Sequence, residues 1–310
     1  MDQKVKVLFI AGVDRSGSTI LGNLLGQIEG WFHAGEVRHL WDAALISNFP
    51  CGCWARFKEC PVWGAVAAKA FGVMKGADPA EMLRLRDACA SRHRDPLLIL
   101  PSGRKMLEKR ASRFIPYLEA VYKGMAEVTG CRVIVDSSKG PAYGYALSLV
   151  PCIDLYVVHL VRDPRAVAFS GLRKKFQPET QRYLSRPGPT RTAVWWSIRN
   201  LAVARLSESW VGHVRIRYED FVAAPRDCVE TILGMFDGFG SSLDFIGEGW
   251  VKLKVQHTIA GNPSRFDVGS VALRADNEWK MKMKWADRGL VTAITWPLMR
   301  CYGYPLAVVP

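Results

Sequence analysis

The chain has 310 residues, 49% of them hydrophobic, and a formal charge of +13. Such a length accommodates one large α/β unit or two small ones, and the composition is that of a globular chain with a sizeable core, which excludes wholesale disorder. No apolar run approaches the ~18 residues of a membrane-crossing helix, and the positive charge points to an anionic partner.

Val5 to Ala11 is a short β-branched and apolar run that stops at Gly12, which predicts a strand buried on both faces. The opening therefore reads as a first strand. A secretion signal would need a longer apolar stretch and a small-residue cleavage site, so the expected location is the cytoplasm, without stable membrane insertion. A helix is predicted from about Gly17–Ser18, with Ile20, Leu21, Leu24, Leu25 and Ile28 on one face. A second strand is predicted near Trp31–Ala34.

Between these two elements, Gly12-Val13-Asp14-Arg15-Ser16-Gly17-Ser18-Thr19 follows a strand and opens a helix. Glycines let such a backbone curl so that its N–H groups converge on an anion, and the helix dipole adds positive potential. The spacing is that of G-x-x-x-x-G-K-[ST], but Ser18 stands where the lysine belongs. A triphosphatase needs that lysine and a carboxylate that helps hold magnesium. The strand ending at Val161 offers no acidic residue at its carboxyl end, directly before Arg162. A P-loop kinase or nucleoside-triphosphatase using ATP and magnesium is thus the alternative reading.

From about residue 40 to 128 the chain reads as helical, interrupted by a Cys/Gly/Pro stretch at 50–61 and by Pro79, Pro96 and Pro101. Eight cysteines in a chain of this length do not make a disulfide scaffold. Cys89, Cys131, Cys152, Cys228 and Cys301 are scattered and are expected as small buried residues. Cys51-Gly52-Cys53 and Cys60 form a compact group. It suits packed thiols, one disulfide, or a metal held with a fourth ligand such as His33, although the spacing is not a standard zinc one.

Strands are then predicted at Cys131–Val135, ending at Asp136; at Ile153–Val161, ending at Arg162; and at His213–Arg217, ending at Tyr218. Helices are predicted between them at about 141–149, 165–175 and 189–209. Strands alternating with helices indicate a parallel sheet covered on both faces, whose ligands bind beyond the carboxyl ends of the strands. Every polar cluster of interest sits at one of those ends. After about 245 the chain is Gly-rich and is expected to be irregular until a helix near 286–300. The basic residues are spread along the chain with no recognisable nucleic-acid-binding module, so no nucleic-acid partner is expected.

Arg15-Ser16-Gly17-Ser18-Thr19 resembles the 5′-phosphosulfate loop of sulfotransferases that use 3′-phosphoadenosine 5′-phosphosulfate (PAPS), in the bacterial branch with arginine at this position, related to tyrosylprotein and carbohydrate sulfotransferases. The family's second signature, a strand ending in Arg with a Ser eight residues on, is matched by Arg162 and Ser170. The resemblance implies that these two hold the 3′-phosphate, a group that a guanidinium matches bidentately. It further implies a nucleotide contact by Tyr218 within Arg217-Tyr218-Glu219-Asp220, a 3′-phosphate contact by Lys174, and a cofactor-covering segment at about 245–310 that includes Arg265.

Transfer of a sulfuryl group needs a cation at the leaving phosphate and a base at the acceptor hydroxyl. Arg15, and Lys139 within Asp136-Ser137-Ser138-Lys139, are the cations that the resemblance implies. Ala34-Gly35-Glu36 is similar to the Gly-Glu of tyrosylprotein sulfotransferases, which makes Glu36 the expected base, with His33 and His39 as alternatives. Burial against Trp31, Phe32 or Trp41 is the expected means of raising its pKa.

The resemblance implies one α/β domain over 1–310: a P-loop-like three-layer sandwich with a roughly five-stranded parallel sheet and a helical, acceptor-side insertion at about 40–128. No metal is expected to be required, and adenosine 3′,5′-bisphosphate is the product. Trp41, Trp54, Phe57 and Trp63 are candidates for stacking on an acceptor, for which sugars, phenolic or lipidic metabolites and protein tyrosines all stay open.

Overall fold

A computed structural model describes residues 4–72, 78–174, 176–177, 181–183, 185–237 and 242–307. Strand β1 (Val5–Gly12) leads into helix α1 (Ser18–Leu25) and strand β2 (Trp31–Gly35). A 3₁₀ turn at Val37–His39 and a seven-residue π-helical stretch at Leu40–Ile46 follow. Then come helices α2 (Pro61–Gly72), α3 (Pro79–Ala90), α4 (Pro101–Ala111) and α5 (Ile115–Thr129). Strand β3 (Val133–Lys139), helix α6 (Pro141–Ser148), strand β4 (Ile153–Val161) and helix α7 (Pro164–Leu172) continue the alternation. A short hairpin pairs β5 (Phe176–Gln177) with β6 (Arg182–Tyr183). Helix α8 (Pro189–Arg205), strand β7 (Gly212–Arg217) and helices α9 (Tyr218–Ala223) and α10 (Pro225–Leu233) come next. Strands β8 (Ile246–Gly247), β9 (Trp250–Leu253) and β10 (Gly269–Ala272) precede helices α11 (Glu278–Lys282) and α12 (Trp285–Cys301).

The central sheet has five strands in the order β2-β3-β1-β4-β7, every pair parallel. Alternate residues of β1 serve opposite faces. Val7, Phe9 and Ala11 join the core beneath α2, α3 and α5, while Leu8 and Ile10 join the core beneath α1 and α10. Burial on both faces is why the strand reads as an unbroken apolar run. The chain leaves β1 first toward β2 and β3 and later adds β4 and β7 on its other side, so the topological switch lies at β1. A crevice at the carboxyl end of the sheet follows from that switch. The predicted three-layer α/β sandwich is the observed fold.

Three expectations change. The segment beyond 245 is only partly irregular: β8, β9 and β10 form a three-stranded antiparallel sheet packed on the α1 and α10 side. Strand β3 runs three residues past Asp136 to Lys139, with a register shift against both neighbours that carries Ser137–Lys139 toward the crevice. Of the five scattered cysteines only Cys89 is buried; Cys131, Cys152 and Cys228 are half-buried and Cys301 is exposed. Among the described residues, no helix is long and apolar enough to cross a membrane.

Candidate functional site

The loop after β1 is held open by two glycines whose conformations leave no alternative residue. Gly12 has φ 149° and a Cβ there would lie 2.4 Å from the Leu160 carbonyl oxygen. Gly17, at φ 90°, caps the start of α1, and its Cβ would lie 2.4 Å from the Tyr218 ring. Between them Arg15 adopts φ 70°, a left-handed conformation that is costly for a non-glycine residue and is retained where the surroundings enforce it. Arg15 Nη1 and Ser16 Oγ are buried without a hydrogen-bond partner among the described residues. Burial pulls the Arg15 guanidinium below its ordinary pKa; Asp14 opposes this and Arg162 adds to it. A crowded, desolvated cation of this kind favours an anion beside it.

The second cluster sits at the end of β4. Asp163 caps α7 by accepting from the Arg165 backbone N–H at 2.8 Å, and its carboxylate pairs with the Arg165 side chain at 2.7 Å. The ion pair is thus between Asp163 and Arg165, and Arg162 faces elsewhere. Its Nη1 donates to the Arg15 carbonyl at 2.8 Å, its Nη2 lies 3.3 Å from Asp276, and its guanidinium lies 4.5 Å from the Tyr218 ring centre. Arg162 Nε is buried with no partner among the described residues. Ser170, on α7, is buried and lines the same crevice. Lys174 is exposed and outside the lining, whereas its neighbour Arg173 lines it and is held by Asp276 through two 2.9 Å bonds. Sequence reading missed Asp276 and Arg173, and the only available signal was an Arg beside the lysine.

The third cluster lies at the ends of β2 and β3. Glu36 follows Gly35, whose φ is 81° and whose Cβ would lie 2.4 Å from the Ile259 carbonyl oxygen, so the segment near 259 packs directly on it. Lys139 Nζ lies 2.5 Å from Glu36 Oε1, and His39 Nε2 lies 3.7 Å from Glu36 Oε2. Of the aromatics expected to bury it, Trp31 packs on Phe236 on the far face of the sheet, Phe32 packs on Trp63 and Trp41 lies in the core, while Glu36 meets the charged Lys139 and lies near His39. Lys139 also has a left-handed φ, 66°. Its strand end is fixed by buried Asp136, which accepts from Tyr122 Oη and from the Ser138 N–H at 2.8 Å. Burial pushes the Asp136 carboxyl up to about 6, although hydrogen bonds from Ser138 and Tyr122 oppose this. His33 is buried between Gln256 and Ser137 at 3.2 Å each and is not part of the lining; burial lowers its pKa to about 4. His39 is part of the lining.

One cleft of ≈ 670 Å³ joins the three clusters; Arg15, Gly17, Ser18, Thr19, Glu36, Lys139, Arg162, Ser170, Tyr218 and Arg265 all line it. Ser16, within the same loop, is outside the lining and 1% exposed. The Arg265 guanidinium is turned inward, donating to the carbonyls of Thr258 at 3.1 Å and Pro50 at 3.0 Å. Among the described residues, three carboxylates line the cleft, and each is engaged by a cation: Asp14 by Arg199, Glu36 by Lys139, and Asp276 by Arg162 and Arg173. Magnesium would have to displace these cations, so the kinase alternative is not favoured.

The aromatic candidates for stacking are otherwise employed. Trp41, Phe57 and Trp63 are core residues at 1%, 2% and 0% exposure, and Trp54 stacks on Phe266 at 3.8 Å. Phe49 and Trp195 line the cleft instead, beside Arg92 and Arg191. Cys51, Cys53 and Cys60 do come together, and their fourth neighbour is His257, not His33.

The model of the sulfotransferase family matches residues 8–237. No match was found among curated protein sequences. Among solved structures, the sulfotransferase domain of the Synechococcus PCC 7002 olefin synthase is similar, with a TM-score of 0.52 and 18% identity over 99% of this chain and 98% of that one. The sulfotransferase domain of the curacin biosynthetic pathway gives 0.57 and 17% over 99% and 100%. At those identities the likeness is one of fold.

Proposed function

The chain belongs to the sulfotransferase family, and on that premise we propose that it moves a sulfuryl group from PAPS to a hydroxyl of a small-molecule, glycan or phenolic acceptor. The observation that carries this reading is the single cleft in which two anion sites meet, tied by the bond from Arg162 to the Arg15 carbonyl.

The residues present fit a nucleotide with phosphates at both ends. Arg15 Nη1, Ser16 Oγ and Arg162 Nε are buried donors without partners among the described residues, and phosphate oxygens would satisfy them. The loop at 12–19 with the N-terminus of α1 suits the 5′-phosphosulfate. Arg162 and Ser170 suit the 3′-phosphate, with Arg173 on the same side, where a phosphate takes the place that Asp276 holds on the two arginines. PAPS supplies an activated sulfuryl group on a leaving phosphate. Glu36 takes the proton of the acceptor hydroxyl as its oxygen attacks sulfur. With Oε1 on Lys139, Oε2 is the oxygen left for that proton. Arg15 and Lys139 stabilise the charge that builds on the leaving oxygen. The helical region at 40–128, with Phe49 and Arg92, forms one wall of the acceptor side, and the segment around Gly261 and Arg265 covers the opposite one.

Retention on immobilised adenosine 3′,5′-bisphosphate in the presence of EDTA tests the nucleotide assignment, and an acceptor screen with PAPS tests the transfer. Retention that requires magnesium and ATP would return the reading to a kinase or triphosphatase.

A further inference from the structure

Away from the cleft lining, Cys51, Cys53, Cys60 and His257 converge so that their ligand atoms all lie within 4.8 Å of one another. Cys60 Sγ lies 3.2 Å and Cys51 Sγ 3.8 Å from His257 Nδ1, and Cys53 Sγ lies 3.9 Å from Cys60 Sγ. A tetrahedral zinc ion with Zn–S of about 2.3 Å and Zn–N of about 2.0 Å sets S···S edges near about 3.8 Å and S···N edges near about 3.5 Å. We propose that these four side chains form a closed Cys₃His zinc site that pins the loop at 50–60 to the segment at 256–259.

The frame around the four atoms is built, not incidental. Cys60 directly precedes α2, whose first turn carries Trp63. Trp63 Nε1 donates to the His257 carbonyl at 2.9 Å, and Gly52 N donates to the Thr258 carbonyl at 3.0 Å. A Cβ at Gly52 would lie 2.4 Å from the Gln256 carbonyl oxygen, so the residue between the first two cysteines must be glycine for the segments to meet. His257 stands 197 residues from Cys60. A disulfide joins only two sulfurs, at about 2.05 Å, and would leave the third thiol and the imidazole without a reason to be there.

The ligand chemistry selects the ion. Three thiolates and an imidazole are soft and borderline donors that favour zinc over magnesium or calcium. Four protein ligands leave no open position, so the role is structural, and each coordinated thiol gives its proton to solvent. The consequence for the cleft is direct. Two residues beyond His257, Ile259 bridges to Gly35 and accepts from the Glu36 N–H at 2.7 Å. Zinc would thus brace the wall against which Glu36 is held.

The test uses the full chain purified without a polyhistidine tag from zinc-replete medium. Elemental analysis should give about one zinc per chain, and exchange with cobalt(II) should give the thiolate-to-metal charge transfer and intense ligand-field bands of a tetrahedral site. Cys60→Ser and His257→Ala should each lower the bound zinc at least about tenfold. Should those variants not fold, the cobalt spectrum of the unaltered chain still decides. Zinc at background level, a Cys53–Cys60 disulfide in the native protein, or an octahedral cobalt spectrum would each overturn the proposal.

Discussion

Lys139 Nζ meets Glu36 Oε1 at 2.5 Å across 103 residues of sequence, and both side chains are nearly buried. The pair joins the end of β2 to the end of β3 and puts the proposed base and a proposed leaving-group cation in contact. Two groups so placed are coupled, because removing either one leaves the other as a desolvated charge.

Glu36→Gln keeps an oxygen for Lys139 and removes the proton acceptor. Turnover with PAPS is expected to fall by about 10²–10⁴, with adenosine 3′,5′-bisphosphate affinity unchanged within about threefold. Lys139→Ala differs, since it also strands the carboxylate and should cost about 3 kcal/mol of stability. Steady-state kinetics, calorimetric binding and urea unfolding of the two variants check this. Near-normal turnover in Glu36→Gln would move the base to His39, whose Nε2 is 3.7 Å from Glu36.

Arg162→Ala should weaken adenosine 3′,5′-bisphosphate by about 1.5–3 kcal/mol, the worth of a charge-assisted hydrogen bond, while adenosine 5′-phosphate binding changes far less. Because Arg162 also braces the Arg15 carbonyl, Ser170→Ala serves as the milder probe, with a loss of about 1 kcal/mol. Equal losses for both nucleotides would show that Arg162 supports the loop and does not read the 3′-phosphate.

Much of this was legible before the fold was seen, for a physical reason. Parallel strands covered on both faces must be continuous apolar runs, so Val5–Gly12 and Ile153–Val161 announce themselves and their last residues mark the crevice. The small sheet of β8, β9 and β10 did not, because its strands have 2, 4 and 4 residues and are set among glycines. Asp276, Arg173 and His257 were missed because nothing local couples a residue to a partner a hundred or more positions away. The environment of Glu36 was misread for the same reason: Trp31 is near it in sequence but on the other face of the sheet.

Gly17→Ala should abolish nucleotide binding. The residue sits at φ 90° with the Tyr218 ring where a Cβ would go, and a side chain there costs strain of about 1–3 kcal/mol in addition to the clash. Tyr218→Ala alone is the reference, because it also removes a ring from the nucleotide site; Gly17→Ala combined with Tyr218→Ala keeps the strain without the clash, so binding should recover only part of the way to that reference. Full recovery in the double variant would assign the glycine to packing alone. Equilibrium binding of adenosine 3′,5′-bisphosphate to all three variants is the measurement.

Asp136 gives a pH dependence whose sign can be fixed. In the folded chain burial raises its carboxyl to about 6 against opposing hydrogen bonds from Ser138 and Tyr122, whereas the unfolded chain titrates near about 3.9. Between those values the folded state binds more protons than the unfolded one, so this group's contribution to stability falls as pH rises from about 4 to about 6 and is flat outside that window. A shift of about two units corresponds to roughly 3 kcal/mol. Other carboxylates titrate in the same range, so the useful quantity is the difference from Asp136→Asn, which stays neutral throughout and lacks this component. Measured by urea unfolding, the native chain should lose roughly 2 kcal/mol relative to that variant between pH 4 and pH 7. A difference that is constant with pH would mean that Asp136 stays ionised in the folded chain. Its acceptance from Tyr122 and Ser138 would then outweigh the cost of its burial.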